Sequence, residues 1–229
     1  LSDGRYESKG GPKKDVPKAL EYMKRAADNR HFEAMYKYAR WLSTGELNPQ
    51  SKNYTEAVNY YKKAADLGHS LSQFQLGVHY LIGAGVEKNE KKALSYIKMA
   101  ADQHLAPALE MLGYMYQEGL GLDGKKDLNQ AVKYMKEAAE LDFPPALAAY
   151  GYYLQHGMAV EKNEKEAAKL YKKGADLGDA TCQFNLALLY DSGIGVEQNE
   201  TEALRYMEMA AAQGYEQAVQ LMSRTKATK

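Results

Sequence analysis

The sequence predicts an all-α fold, a right-handed α-α superhelix (solenoid) of about five to six helix-pair repeats. Three features predict it: a recurring alanine-led pattern, a fixed spacing from each alanine to a glycine, and a capping residue ahead of each alanine. The pattern Ala-Ψ-x-[Tyr/Leu]-[aromatic/Met/Ile]-x-x-Ala-Ala, in which Ψ is mostly aliphatic, starts at Ala19, Ala57, Ala93, Ala131, Ala167 and Ala203. Successive alanines lie 36 or 38 residues apart, a period typical of stacked helical repeats.

A unit of constant length alternates with a connection of variable length. The first five alanines are each followed 26 residues later by a glycine, at Gly45, Gly83, Gly119, Gly157 and Gly193. The two extra residues of the longer intervals therefore fall after the glycine. Packed helices tolerate insertions poorly and surface loops tolerate them well, so the constant unit is predicted to hold two helices and the variable part a loop.

The first helix of each unit has recognisable ends. An Asn or Asp stands four residues before every leading alanine, at Asp15, Asn53, Asn89, Asp127, Asn163 and Asn199. These short side chains accept hydrogen bonds from the free amides that begin a helix. The same helix is expected to end in a left-handed residue at Gly68, Gly178 or Gly214. Arg30, His104 and Asp142 hold the matching positions, and we expect different caps there because a Cβ atom disfavours that conformation.

The second helix carries small residues at Gly77, Gly113 and Gly151, where a neighbouring helix is expected to approach closely. The turn after it contains Gly-x-Gly in three repeats, as in Gly83-x-Gly85. A Gly-x-Gly turn that opens a helix can bind phosphate. Two other repeats lack the second glycine without a change of register, and no Lys-Ser pair of a phosphate loop follows. We therefore interpret these glycines as turn residues.

The composition excludes several classes of function. Lys and Arg together number 30, as do Asp and Glu, so the formal net charge is zero, which argues against nucleic-acid binding. The single cysteine, Cys182, cannot form an internal disulfide and is interpreted as a small core residue. Five scattered histidines form no metal-ligand motif, and no apolar run approaches the roughly 20 residues that span a bilayer. No catalytic residue, metal, cofactor or membrane insertion is predicted.

These repeats resemble the Sel1-like repeats, a tetratricopeptide-related class with a longer loop between helices. The signature reads Ala108-x4-Gly113-x2-Tyr116-x2-Gly119-x-Gly121, then Ala131-x2-Tyr134-x3-Ala138-Ala139. The resemblance covers roughly residues 15–222. It implies a concave surface and a non-catalytic role as a scaffold or adaptor for a protein or peptide partner. The alternative is a regulatory or targeting region of a larger enzyme or ubiquitin-ligase complex, such as an adaptor in ER-associated degradation.

The ends of the chain are expected to lie outside the repeat domain. Residues 1–14 are interpreted as the remnant of a preceding repeat or a linker, and residues 223–229 as a tail, so we expect a fragment of a longer multidomain chain. A cytoplasmic location is favoured. Two glycosylation sequons, Asn53-Tyr54-Thr55 and Asn199-Glu200-Thr201, leave the ER lumen open.

One face of the second helix is expected to bind the partner. With residues about 100° apart, the position opposite the packed side is largely apolar or aromatic: Arg40, Val78, Tyr114, Tyr152 and Leu188. We predict a groove with polar edges on the concave face, formed by Tyr36, Arg40, Phe74, Val78, Leu81, Tyr114, Gln117, Tyr152, Gln155 and Phe184. Burial between successive helices is the alternative. Exposure is favoured for Tyr114 and Tyr152, whose hydroxyls need water or a partner.

Overall fold

The computed structural model of the chain describes residues 16–45, 50 and 52–227, and that part of the chain forms twelve α-helices and no β-strand. The helices are α1 (Val16–Asp28), α2 (Phe32–Thr44), α3 (Tyr54–Asp66), α4 (Ser70–Ile82), α5 (Glu90–Ala101), α6 (Ala106–Glu118), α7 (Leu128–Glu140), α8 (Pro144–His156), α9 (Glu164–Asp176), α10 (Ala180–Ser192), α11 (Glu200–Ala212) and α12 (Glu216–Ala227). Each helix packs against the next one along the chain, as in a solenoid. The predicted all-α fold is confirmed.

The odd-numbered helices begin at the predicted capping residues. In α3, α5, α7, α9 and α11 the side-chain oxygen of the Asn or Asp accepts the backbone N–H three residues later, at 2.9 to 3.1 Å. These bonds satisfy one of the amides that a helix leaves free at its start. The prediction is confirmed at these five sites. Asp15 and residues 1–14 lie outside the described residues.

The odd-numbered helices all end in the same way, so the prediction of different caps at Arg30, His104 and Asp142 was wrong. These residues adopt φ angles of 63°, 57° and 59°, in the left-handed region that Gly68 also occupies with φ 88°. The His104 N–H donates to the Ala101 carbonyl at 2.8 Å, as the Gly68 N–H does to the Ala65 carbonyl at 2.9 Å. The backbone bonds that close the helix therefore outweigh the cost of a Cβ atom.

The Gly-x-Gly pairs are turn residues. The first glycine ends the even-numbered helix: Gly119 has φ 74° and donates its N–H to the Met115 carbonyl. The second lets the loop lie directly on the start of the preceding odd-numbered helix, because a Cβ on Gly121 would stand 2.5 Å from the Glu90 carbonyl oxygen. Ala159 replaces this glycine in one repeat and still adopts a φ of 53°. The backbone route is therefore the same with or without the second glycine.

Small residues bring each even-numbered helix close to the odd-numbered helix after it. A Cβ on Gly77 would lie 2.6 Å from the Ile97 side chain, and one on Gly151 would lie 2.7 Å from the Tyr171 ring. Fully buried alanines, leucines and tyrosines fill the layers between the helices. Cys182 belongs to this core, as predicted, and burial raises the pKa of its thiol. The packed side of every even-numbered helix is thus fixed, and its opposite side is left to define a surface.

Candidate partner-binding surface

The surface of interest is the side of the even-numbered helices that faces away from these contacts, called here the even-helix face. It carries the ten residues predicted to bind a partner. Arg40 is exposed, and Tyr114 and Tyr152 are 43% and 48% exposed, so the expected exposure of the two tyrosines is confirmed. Leu188 is also exposed. The other predicted residues are half-buried: Tyr36, Phe74, Val78, Leu81, Gln117, Gln155 and Phe184.

A groove of about 1080 Å³ crosses this face between α6, α8 and α10. Its central helix, α8, contributes Pro145, Ala148, Ala149 and Tyr152. Of the predicted residues, Gln117 and Tyr152 line the groove. The small residues of α8 were not predicted, because a recess beside them depends on the side chains of the two neighbouring helices. The sequence signal was the substitution of Ala148 for the aromatic residues found at this position in α2, α4 and α10.

Polar groups at one end of the groove bond to one another. The Tyr153 hydroxyl donates to Gln117 Oε1, and Gln117 Nε2 donates to Glu118 Oε1 at 2.9 Å. Glu118 also pairs with Lys126 at 3.0 Å, and these partners lower the pKa of its carboxyl. This network is closed, because each charge has its partner within the protein. It shapes the groove wall rather than offering a free charge to a ligand.

The opposite wall offers polar groups that the protein does not use. Thr181 and Asn185 of α10 line the groove, and within the described residues their side chains make no hydrogen bond to the protein. Beyond them Tyr215 lines the groove, with its ring 5.1 Å from the predicted Phe184. A hydroxyl, an amide and the Tyr215 ring therefore face a recess with small apolar residues. This combination suits a ligand that has both apolar side chains and a polar backbone.

Other predicted residues are held elsewhere on the even-helix face. The amide oxygen of Gln155 accepts the Tyr171 hydroxyl at 3.0 Å, so it is tied to α9. The Tyr36 ring lies 5.2 Å from His69 near the other end of the chain. Phe74 and Leu81 pack against the buried core. The ten residues therefore do not converge on one pocket; only Gln117 and Tyr152 meet in the groove described above.

One charged residue on this face is not among the ten residues predicted to bind a partner. Glu110 of α6 is half-buried, and within the described part of the chain its carboxylate has neither a hydrogen bond nor an ion pair. Partial burial raises the pKa of the Glu110 carboxyl, because desolvation disfavours its charged form. The matching positions of the other repeats hold Tyr36, Phe74, Ala148 and Phe184. A single acid in an otherwise apolar row was the signal in the sequence.

A serine, a histidine and a glutamate lie in a chain of contacts near α2 and α4. Ser72 Oγ lies 2.8 Å from His69 Nδ1, and His69 Nε2 lies 3.4 Å from Glu33 Oε1. The same residue types activate the nucleophile in many hydrolases. Ser72 is fully buried, however, so no substrate can reach its hydroxyl in this conformation. The arrangement fastens the start of α4 to α2.

The described residues hold no group of three or more His, Cys, Asp or Glu side chains placed to bind a metal ion. Among the helices of residues 16–45 and 52–227, none has the length and apolar character needed to cross a membrane.

Comparison with known proteins shows relatives of the same architecture. A solved Sel1 repeat protein from Oxalobacter formigenes superposes with a TM-score of 0.84 and 29% identity, over 92% of this chain and 60% of that one. A protective antigen of uropathogenic Escherichia coli superposes with a TM-score of 0.80 and 33% identity, over 90% of this chain and 43% of that one. Chitin synthase regulatory factor 2 of Schizosaccharomyces pombe is 33% identical over 88 residues, 38% of this chain and 17% of the relative.

This chain thus spans less than two thirds of each of these relatives. The family model described as Sel1 repeat matches six consecutive segments, residues 3–31, 32–69, 70–105, 106–143, 144–179 and 180–215. From residue 32 onward each segment pairs an even-numbered helix with the odd-numbered helix after it. The chain belongs to the Sel1 repeat family.

Proposed function

We propose that the chain is a non-catalytic scaffold that binds an extended segment of a partner protein along the even-helix face. The groove between α6, α8 and α10 is the centre of this site. The observation that carries the proposal is the combination of exposed Tyr152 with the unused polar side chains of Thr181 and Asn185 around one recess. Buried aromatic contacts supply much of the binding energy in protein interfaces, and Tyr152 is placed to make one.

The free side chains favour an extended segment over a helix. The backbone N–H and C=O groups of an extended chain have no partners of their own, so the Asn185 amide and the Thr181 hydroxyl can bond to them. A helix uses its backbone groups internally and would offer these two residues only side chains. The small residues Ala148 and Ala149 leave room for the alternate side chains of an extended segment.

The test is affinity capture from a lysate of the source organism, with quantification of the bound proteins. The site variant combines Tyr152→Ala with Asn185→Ala, and the control is Tyr22→Ala, which removes a 63% exposed tyrosine from α1. Both variants are first checked for parental helicity by circular dichroism. We expect the site variant to lose a partner that the parent and the control retain. A partner retained equally by all three proteins would place the binding site outside the groove.

A second candidate function is that of a regulatory or targeting region within a larger enzyme or ubiquitin-ligase complex. It is supported by the similarity to a protein named as a regulatory factor of chitin synthase. The two candidates differ in what the bound protein is. Capture of an enzyme whose activity changes on addition of the chain, and not on addition of the site variant, would favour the regulatory function.

A further inference from the structure

The unpaired carboxylate of Glu110 distinguishes one part of the even-helix face. Glu110 lies one helical turn before the exposed Tyr114 on the same side of α6, because residues four apart share a face of an α-helix. The next even-numbered helix carries Tyr152 at the position that matches Tyr114. A carboxylate and two exposed tyrosines therefore stand along this face, and Tyr152 lines the groove.

Partial burial together with the absence of a partner sets Glu110 apart from the other half-buried carboxylates of the repeats. Glu90 pairs with Lys88 at 3.0 Å, Glu164 with Lys162 at 2.7 Å and Glu118 with Lys126. Glu110 has no such cation in the described part of the chain, although it is half-buried. Partial burial of an unpaired charge destabilises the free protein, and a cation from outside would reverse that effect.

The chemistry of this site selects one kind of occupant. An acidic segment would be repelled by Glu110, and an apolar segment would bury the carboxylate further without compensation. A lysine or arginine can bond to the carboxylate, and its aliphatic stem can pack on the Tyr114 ring one turn away. An arginine would form the stronger contact, because its guanidinium can donate two hydrogen bonds to one carboxylate.

We propose that Glu110 binds a lysine or arginine side chain of the partner segment and so fixes the register of that segment along the even-helix face. This inference rests on the proposed function, since it assumes that a segment occupies the groove. It adds the chemical class of the partner: an extended segment that carries a basic residue as well as the apolar residues that enter the recess beside α8.

The experiment selects peptides from a display library of random sequences against the parent protein. The selected peptides are then measured by fluorescence anisotropy against the parent, Glu110→Gln, Tyr152→Ala and Glu87→Gln. Glu87 is the matched control, because it is an exposed loop carboxylate with no partner in the described chain and its replacement changes the net charge equally. A Glu110→Lys variant is tested with peptides whose basic residue is replaced by glutamate.

We expect the selected peptides to be enriched in lysine or arginine at one position. Glu110→Gln should weaken their binding about tenfold, as for other close charge pairs in interfaces, while Glu87→Gln should leave it unchanged. The charge-reversed peptides should bind Glu110→Lys better than the parent, which a purely structural role of Glu110 would not produce.

Two results would overturn the inference, and they differ in what else they reject. Peptides that lose affinity on Tyr152→Ala but show no basic residue and no response to Glu110→Gln would reject the role of Glu110 and leave the groove as the binding site. A selection that yields no peptide sensitive to Tyr152→Ala would reject the proposed function and this inference together.

Discussion

The replacement of His104 by glycine is predicted to stabilise the protein. His104 ends α5 in a left-handed conformation with a φ of 57°, a geometry that glycine adopts without strain. Its side chain is exposed and makes no hydrogen bond, ion pair or ring contact within the described residues, so the substitution mainly removes the cost of the Cβ atom. Gly68 holds the same position in the preceding repeat, and a Cβ built there has no atom within 4 Å. Gly68→Ala is therefore the reciprocal change.

The size of the effect follows from two opposing terms. A left-handed residue with a Cβ costs roughly 1–2 kcal/mol relative to the right-handed form. Glycine increases the entropy of the unfolded chain, which opposes folding by about 0.4–1 kcal/mol. The difference predicts that His104→Gly raises the free energy of unfolding by about 0.5–1 kcal/mol and that Gly68→Ala lowers it by a similar amount. Asp142→Gly should raise the free energy of unfolding by less, because the substitution also removes the exposed ion pair with Lys173.

The assay is urea unfolding followed by far-ultraviolet circular dichroism. Because helix pairs contact mainly their neighbours, single repeats can unfold separately, and the slope of the transition must be compared between variants. Opposite shifts of the midpoint for the two substitutions, at equal slope, are the expected result. A His104→Gly variant less stable than the parent would refute the reasoning, and so would a Gly68→Ala variant with an unchanged midpoint.

Three further predictions are tested by the same urea-unfolding assay. Gly121→Ala should lower the free energy of unfolding by about 2 kcal/mol, because φ is 74° and the new Cβ would stand 2.5 Å from the Glu90 carbonyl. Gln73 Oε1 accepts Gln103 Nε2 at 2.7 Å and Gln73 Nε2 donates to the Ala65 carbonyl at 3.3 Å, so Gln73→Leu should lower the free energy of unfolding by about 1 kcal/mol. In a double-mutant cycle with Gln103→Leu, the loss for the pair should be smaller than the sum of the two single losses, because either replacement already breaks their shared bond. Glu110→Gln should be more stable than the parent near neutral pH. Because the pKa of Glu110 is raised in the folded protein, the folded parent binds the proton more tightly than the unfolded chain does, and the parent becomes more stable on acidification. The difference in free energy of unfolding between Glu110→Gln and the parent should therefore shrink as the pH falls.

Local rules were enough to predict the repeats and the starts of α3, α5, α7, α9 and α11. Asn53 and Asn89 cap their helices through a bond to an amide three residues away, and such a contact can be read from spacing alone. Gly77 and Gly151 were likewise identified by their period, and both lie where a side chain would collide with the next helix. The period is informative because every repeat must bury the same side against the same neighbour.

The conformational preference of a single residue type predicted the backbone poorly where hydrogen bonds stabilise a different conformation. His104 was expected to avoid the left-handed region, yet its amide and that of Leu105 bond to the last carbonyls of α5. The two bonds compensate a cost that a single-residue preference treats as decisive. The groove was missed in part for a related reason. Its shape depends on Ala148 of one helix and Thr181 of the next, and no spacing within one repeat connects them.

The constraints of the solenoid explain why the even-helix face is the place for specificity. Positions that cap a helix or fit between helices are restricted to a few residue types, and they repeat along the chain. The position just after the small residue of each even-numbered helix neither caps a helix nor fits between helices. Its residue type varies accordingly, from Arg40 to Val78, Tyr114 and Leu188. Glu110 departs furthest from its apolar counterparts, and the fold gains no bond from it within the described chain. A residue that costs the free protein stability and has no internal partner is most simply explained by a contact made outside the chain.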